Sequence, residues 1–305
     1  MLRTRWAQVG LAAVALGSPG AAEGERPAYF TASFTDRNAL FIENLAREEV
    51  RILENGSARR LELIARDEIP VVYGILFDLA IVPDAAEVER ARRGPGLASA
   101  RDIAYELIDK YLGRQACWVG AYDRELRVAL EPTTDAFQAK DAIQRLSGSR
   151  RPAETYLYGA LVSAVQRMSD RPEKRRVLLV FLDSVDLETA GKAKPLKNLL
   201  SSSNVELFVV SFAARLTTRG ATVQFPMAQG FLRDLAGVTA GEAFFASDYR
   251  EHLNDISRRV YNQVRTFYTF GFLSTSSPER PARLAIECVR PGAKVRHHPT
   301  LAASP

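Results

Sequence analysis

Asp78 closes the apolar run Val71-Val72-Tyr73-Gly74-Ile75-Leu76-Phe77, and a buried strand that ends in a carboxylate delivers that acid to the edge where open α/β sheets bind ligands. Asp183 closes a second such run, Val177-Leu178-Leu179-Val180-Phe181-Leu182. Two acids of this kind could serve a hydrolase as an acid-base pair. A phosphate-transferring enzyme that used Asp78 as nucleophile would want a second acid two positions later, and that position is Ala80. The residues that follow, Leu79-Ala80-Ile81-Val82-Pro83, offer no hydroxyl, second carboxylate or glycine-rich phosphate cradle. No glycine-rich loop ending in Lys-Ser or Lys-Thr occurs elsewhere, and Gly94-Pro95-Gly96 reads as a turn before a helix. Ser163 and Ser211 lack the surroundings of a nucleophile elbow. Of the three histidines, His252 falls in an amphipathic helical segment, while His297 and His298 fall in a polar tail and read as solvated or capping. The sequence holds no recognisable catalytic set.

Elements that could position Asp78 and Asp183 alternate through the middle of the chain. Segments 71–77, 177–182 and 207–212 are apolar throughout, as strands covered on both faces are. Between them, Leu97, Ala100, Ala104, Leu107, Ile108 and Tyr111 follow helical spacing, as do Leu157, Ala160, Leu161, Ala164, Val165 and Met168. Thr155 stands where the second of these helices begins, and a last helix near 248–265 presents Leu253, Ile256, Val260 and Val264 on one face. This order predicts an α/β fold with a doubly wound, mostly parallel sheet. Both chain ends read differently. Phe30, Ala32 and Phe34 alternate with polar residues, and Val50 and Ile52 precede Asn55-Gly56, a dipeptide suited to a tight hairpin, with Leu61-Glu62-Leu63 as the return. Segments 267–273 and 283–289 are strand-like and flank the turn-forming loop 276–281. Neither end has enough strands for a core of its own, so the two predict one small β-sandwich built from both chain ends. The boundaries that follow are a leader at 1–22, an N-terminal β module at 23–66, the α/β domain at 67–266 and closing β strands at 267–305.

The leader is read as a signal peptide. Arg3 and Arg5 precede an apolar stretch over 6–16, Gly20-Ala21-Ala22 supplies the small residues of a cleavage site, and the stretch falls short of the ~20 residues of a membrane span. Cleavage after Ala22 would remove two arginines and no acid, taking the formal charge from +5 to +3. With so mild a charge, and with Lys174-Arg175-Arg176 read as the solvated start of a strand, nucleic acid is excluded as a partner. Cys117 and Cys288 each fall inside a strand-like run and read as unpaired, buried thiols, too few for a metal cluster. Repeats and low-complexity tracts are absent.

Several stretches, taken in order, carry a family resemblance. They are Val50-Arg51-Ile52-Leu53-Glu54-Asn55-Gly56, Leu130-Glu131-Pro132-Thr133-Thr134-Asp135, Glu154-Thr155-Tyr156-Leu157-Tyr158-Gly159-Ala160-Leu161 and Val177 to Asp183. Leu235-Ala236 with Gly241-Glu242-Ala243-Phe244-Phe245, and Tyr268-Thr269-Phe270-Gly271-Phe272, complete the set. The chain resembles exported bacterial proteins of the von Willebrand factor A (VWFA) type, in which a strand module precedes the A domain and a β tail closes the chain. The resemblance implies a metal-ion-dependent adhesion site (MIDAS) with Asp78 as first aspartate, Thr155 as loop threonine and Asp183 as second aspartate. Ala80 and Val82 stand at its two serine positions, and Ser184 where a glycine often follows the second aspartate. Mg²⁺ takes near-octahedral oxygen coordination, to which alanine and valine contribute nothing, so the implied site is degenerate. Asp84, Ser184 and Asp186 are the nearby groups that could reach inward.

The reading that results is an exported, non-enzymatic protein-binding or scaffolding protein, periplasmic or secreted, with no resident cofactor. The loop 79–95 lies over the carboxyl edge, and Ile81, Val82 and Asp84 are its candidate contacts with a protein partner. Tyr105, Tyr111, Tyr156 and Tyr158 flank helices and read as core before interface. Two alternatives remain open at this point. One is a Mg²⁺- or Mn²⁺-dependent adhesion protein whose ion is completed by waters; the other is a cryptic hydrolase using Asp78 and Asp183.

Overall fold

In the computed structural model the described N-terminal part carries four strands, β1 (Arg26–Thr35), β2 (Val50–Glu54), β3 (Ser57–Arg59) and β4 (Leu61–Arg66), with one 3-10 turn at Arg47–Glu49 before β2. Strands and helices then mix: β5 (Val71–Asp78), α1 (Gly96–Tyr111), β6 (Ala116–Tyr122), β7 (Leu126–Thr133), α2 (Ala136–Gln144), α3 (Leu157–Ser169) and β8 (Arg175–Leu182). Next come α4 (Leu187–Gly191), α5 (Ala193–Ser202), β9 (Val205–Ser211), the hairpin β10 (Leu216–Thr218) and β11 (Ala221–Val223), α6 (Phe225–Gly237), β12 (Ala243–Phe245) and α7 (Leu253–Arg265). Four strands close the chain: β13 (Tyr268–Ser274), β14 (Ala282–Cys288), β15 (Lys294–His297) and β16 (Thr300–Leu301). The structure describes residues 25–38, 40–66, 70–79, 96–111, 115–146, 156–173, 175–182, 185–212, 216–218, 221–223, 225–245, 253–265, 267–277 and 282–301. The leader and the loop 80–95 lie outside them. No helix among the described residues is long and apolar enough to cross a membrane.

The central sheet has the order β12-β9-β8-β5-β6-β7, parallel throughout except for the last pair. β5 lies inside this sheet with both faces covered, which is why its run is apolar at every position. Val71, Ile75 and Phe77 pack with α1, α2 and α7, whereas Val72 and Leu76 pack with α3, α5 and α6 on the other face. Such two-sided winding is the predicted α/β architecture. β7 lies at the sheet edge and runs antiparallel to β6, a placement that the sequence pattern does not show. Gly120 pairs with Val128 while Val119 pairs with Leu130, so β7 carries an extra residue, and this bulge together with Pro132 blunts an otherwise open edge. Cys117 is free and buried in the core, and Cys288 is free in β14.

The chain ends form two antiparallel sheets, β15-β1-β13-β4 and β16-β14-β2-β3, each taking strands from both termini. Phe30, Phe34, Ile52, Phe270, Phe272, Leu284 and Ile286 fill the space between them, with Phe30 stacked on Phe270 at 5.2 Å. Asn55 and Gly56 both adopt positive φ, 50° and 84°, and join β2 to β3 as a tight turn.

At the amino ends of the parallel strands the β module meets the α/β domain, and two sequence expectations fail there. Arg175 and Arg176 are not solvated: they are 7% and 6% exposed. Arg175 makes a two-pronged ion pair with Glu206, donating from Nε at 3.0 Å and Nη2 at 2.9 Å, and its guanidinium lies 4.2 Å over Phe267. Thr31 of β1 donates to the same carboxylate at 2.8 Å. Arg176 donates to the Arg171 carbonyl at 2.6 Å. The start of β8 is covered because the β module sits on it, which no local charge pattern reveals. His298 is likewise only 5% exposed, because the tail folds back as β15 and β16 into the sandwich.

Candidate functional site

Asp78 is the last residue of β5 and is fully buried at the opposite, carboxyl edge of the sheet. Eight strand residues, about 26 Å at 3.3 Å each, separate that edge from the joint with the β module. Its partner across the β5–β6 pair is Tyr122, also fully buried, whose side chain lies on the same sheet face beneath α3. Burial, and after it the charges of Asp78 and Asp186, hold the Tyr122 phenol well above its usual pKa. Tyr122 therefore remains a neutral hydroxyl beside two carboxylates.

Asp186 follows β8 and caps α4, accepting from the Thr189 N–H at 2.7 Å and the Thr189 hydroxyl at 2.5 Å. It also accepts from the N–H of Leu157, the first residue of α3, at 3.1 Å. Thr189 Oγ1 takes the next N–H of that helix, from Tyr158, at 2.9 Å. The N-cap of α3 is Tyr156, with no side-chain cap bond of its own, so the expectation that Thr155 starts this helix is corrected by one residue. The positive end of α3 is thus met by a carboxylate and a hydroxyl supplied from α4, a pairing of complementary partial charges within the chain.

An aromatic and charged group continues outward from there. Tyr156 donates to Glu188 at 3.0 Å, and Lys192 donates to both the Tyr156 hydroxyl and Glu188 at 2.7 Å. The Lys192 ammonium lies 4.7 Å over the Tyr158 ring. Hydrogen bonds to Glu188 first and Tyr156 second raise the Lys192 pKa.

Of the residues singled out from sequence, Asp78 stands where expected. Thr155, Asp183, Ala80, Ile81, Val82 and Asp84 lie outside the described residues. Among the described residues, no three His, Cys, Asp or Glu side chains converge. Sequence reasoning named Asp186 only as an acid within reach, and it missed Tyr122, Thr189 and Lys192. An Asp-x-x-Thr pattern at a helix start was the available signal for the first pair, and the end of an apolar strand at Tyr122 was the signal for the second.

No family model matches the chain, and no curated protein matches it. Solved structures do. Proximal thread matrix protein 1 from the mussel byssus, with a zinc-occupied MIDAS motif, superposes at a TM-score of 0.50 and 13% identity, over 70% of this chain and 49% of that one. This chain therefore spans about half the length of the mussel protein. A von Willebrand factor type A protein from Catenulispora acidiphila superposes at 0.49 and 12% identity, over 92% of this chain and 74% of that one. The fold is von Willebrand A-like. An aerotolerance-related membrane protein from Bacteroides fragilis NCTC 9343 superposes at 0.45 and 16% identity, over 62% of this chain and 98% of that one. At these identities the likeness concerns the von Willebrand A-like fold alone.

Proposed function

We propose that this chain is an exported, non-enzymatic protein-binding or scaffolding protein whose von Willebrand A-like domain engages a protein partner through the loop 79–95 without a bound cation. The observation that carries the reading is the state of the acids at the carboxyl edge. Asp186 is occupied by three donors of its own chain, and a buried phenol, Tyr122, stands next to Asp78. The donor set does not fit a divalent ion held in the family's manner, because the two serine positions are Ala80 and Val82 and carry no side-chain oxygen. Export rests on the pattern of residues 1–22, with the β module at 23–66 and 267–305 flanking the A domain at 67–266.

The loop offers the direct test. Ile81→Asp combined with Val82→Asp should lower capture of partner proteins from the producing organism's envelope fraction at least tenfold, with the unmodified chain unaffected by EDTA. The melting temperature should stay within about 2 °C, since surface substitutions cost under about 0.5 kcal/mol. Loss of the fold in this variant would place the two residues in the core, and EDTA-sensitive capture would restore the cation to the contact.

A further inference from the structure

The C-terminal tail holds the β module onto the α/β domain through alternate residues. Arg296, His298 and Thr300 share one parity, and each reaches the α/β domain: Arg296 donates to Glu242 at 2.8 Å, His298 sits against Leu200, and the Thr300 hydroxyl donates to the Ser201 carbonyl. Two of these are ordinary polar contacts. His298 differs, being a titratable ring buried at 5% exposure with no hydrogen bond of good geometry to either nitrogen.

We propose that His298 is an acid-sensitive latch, and that protonation of its imidazole releases the C-terminal tail and the β module from the end of α5. The surroundings decide the direction. From α5 the ring meets Leu200, while Lys194 of that helix is exposed and Lys197 is held by Asp234. From β14, Arg283 and Glu287 point to solvent. From β15, Lys294 is exposed, Arg296 is held by Glu242, and His297 is the one group whose charge acts on His298. The acids of the joint are engaged elsewhere, Glu206 by Arg175 and Glu242 by Arg259 and Arg296. A proton on His298 would therefore be a buried positive charge beside a second imidazole, with no carboxylate among the described residues acting on it.

Burial, and after it the neighbouring His297, pulls the His298 pKa from 6.5 down to about 4, against a small opposing effect of the Leu200 carbonyl. Burial lowers His297 as well. The open form then binds the proton more tightly than the closed one. Stability of the joint is complete above about pH 6.5 and falls as the pH drops towards 4.

The test compares the full chain with His298→Leu and His298→Gln between pH 7.5 and 4, by small-angle scattering, circular dichroism and urea unfolding. In the unmodified chain the opening constant should rise by up to about tenfold per pH unit below 6.5, reaching ~160-fold at pH 4. The radius of gyration should grow with secondary structure retained, and both variants should lose this pH dependence. NMR titration of the His298 ring in the unmodified chain needs no variant, so the proposal stays testable should both variants misfold. An imidazole pKa at or above 6.5 overturns it, as does the same acid response in the variants. Loss of secondary structure together with the expansion would mean global unfolding and would also overturn it.

Discussion

Gly241→Ala will abolish or nearly abolish folding, at a cost of about 4 kcal/mol or more, placing it among the rare extreme single substitutions. Gly241 lies where the connection from α6 to β12 crosses β9. A Cβ there would fall 1.8 Å from the Leu207 carbonyl oxygen and 2.5 Å from its carbon. Both obstacles are backbone, so no side-chain rotation can relieve them. Moving the connection away would break the Gly241 N–H bond to the Ala236 carbonyl at 3.1 Å and the Val209 N–H bond to the Glu242 carbonyl at 3.0 Å. It would also pull on Thr239, whose buried hydroxyl accepts from the Leu207 N–H at 2.9 Å and donates to the Ala236 carbonyl at 2.8 Å. Gly230→Ala, in the interior of α6 with nothing near its Cβ position, is the matched control and should be neutral or slightly stabilising. Soluble yield and the urea midpoint of the two variants check the contrast. Equal behaviour would mean that the connection has room to move.

Glu206→Ala has the second largest expected effect, about 3–5 kcal/mol, because it strands a guanidinium rather than because the ion pair itself stabilises strongly. Glu206 is 3% exposed and Arg175 7%. The carboxylate accepts both prongs of Arg175 and the Thr31 hydroxyl, so truncation leaves a buried cation facing Phe267 and an unmatched donor from the β module. Replacing both partners, Arg175→Met with Glu206→Met, removes the charge as well and should recover most of the loss. A single variant that loses under 1 kcal/mol in urea unfolding, or a double variant as unstable as the single, would contradict this account of the joint.

The parts of the fold that were legible in the sequence are those governed by local period. The run from Val71 to Asp78 declares a strand covered on both faces, the stripe from Leu157 to Met168 a helix packed along one side, and Asn55-Gly56 a turn that few other dipeptides make as easily. What was not legible depends on partners distant in sequence. Arg175 and Arg176 read as a solvated pair because Glu206 lies 31 positions from Arg175 and Thr31 belongs to the other end of the chain. His298 read as tail because its burial depends on β1 and α5. The extent and edge placement of β7 were not legible because an edge strand with a bulge lacks clean alternation. At the site, Asp78 was visible as the end of a strand, whereas the Asp186 bond to the Leu157 N–H spans 29 positions and joins two helices no motif connects.

The central proposal is that Asp186 is taken up by donors of its own chain and that the carboxyl edge works without a cation. Calorimetric titration of the chain from Glu23 to Pro305 with Mg²⁺ and then Mn²⁺, alongside Asp183→Ala, tests it most directly. The account predicts no saturable heat above dilution in either protein at millimolar ion. Saturable heat that disappears in Asp183→Ala would contradict it and place a divalent ion at the head of Asp78.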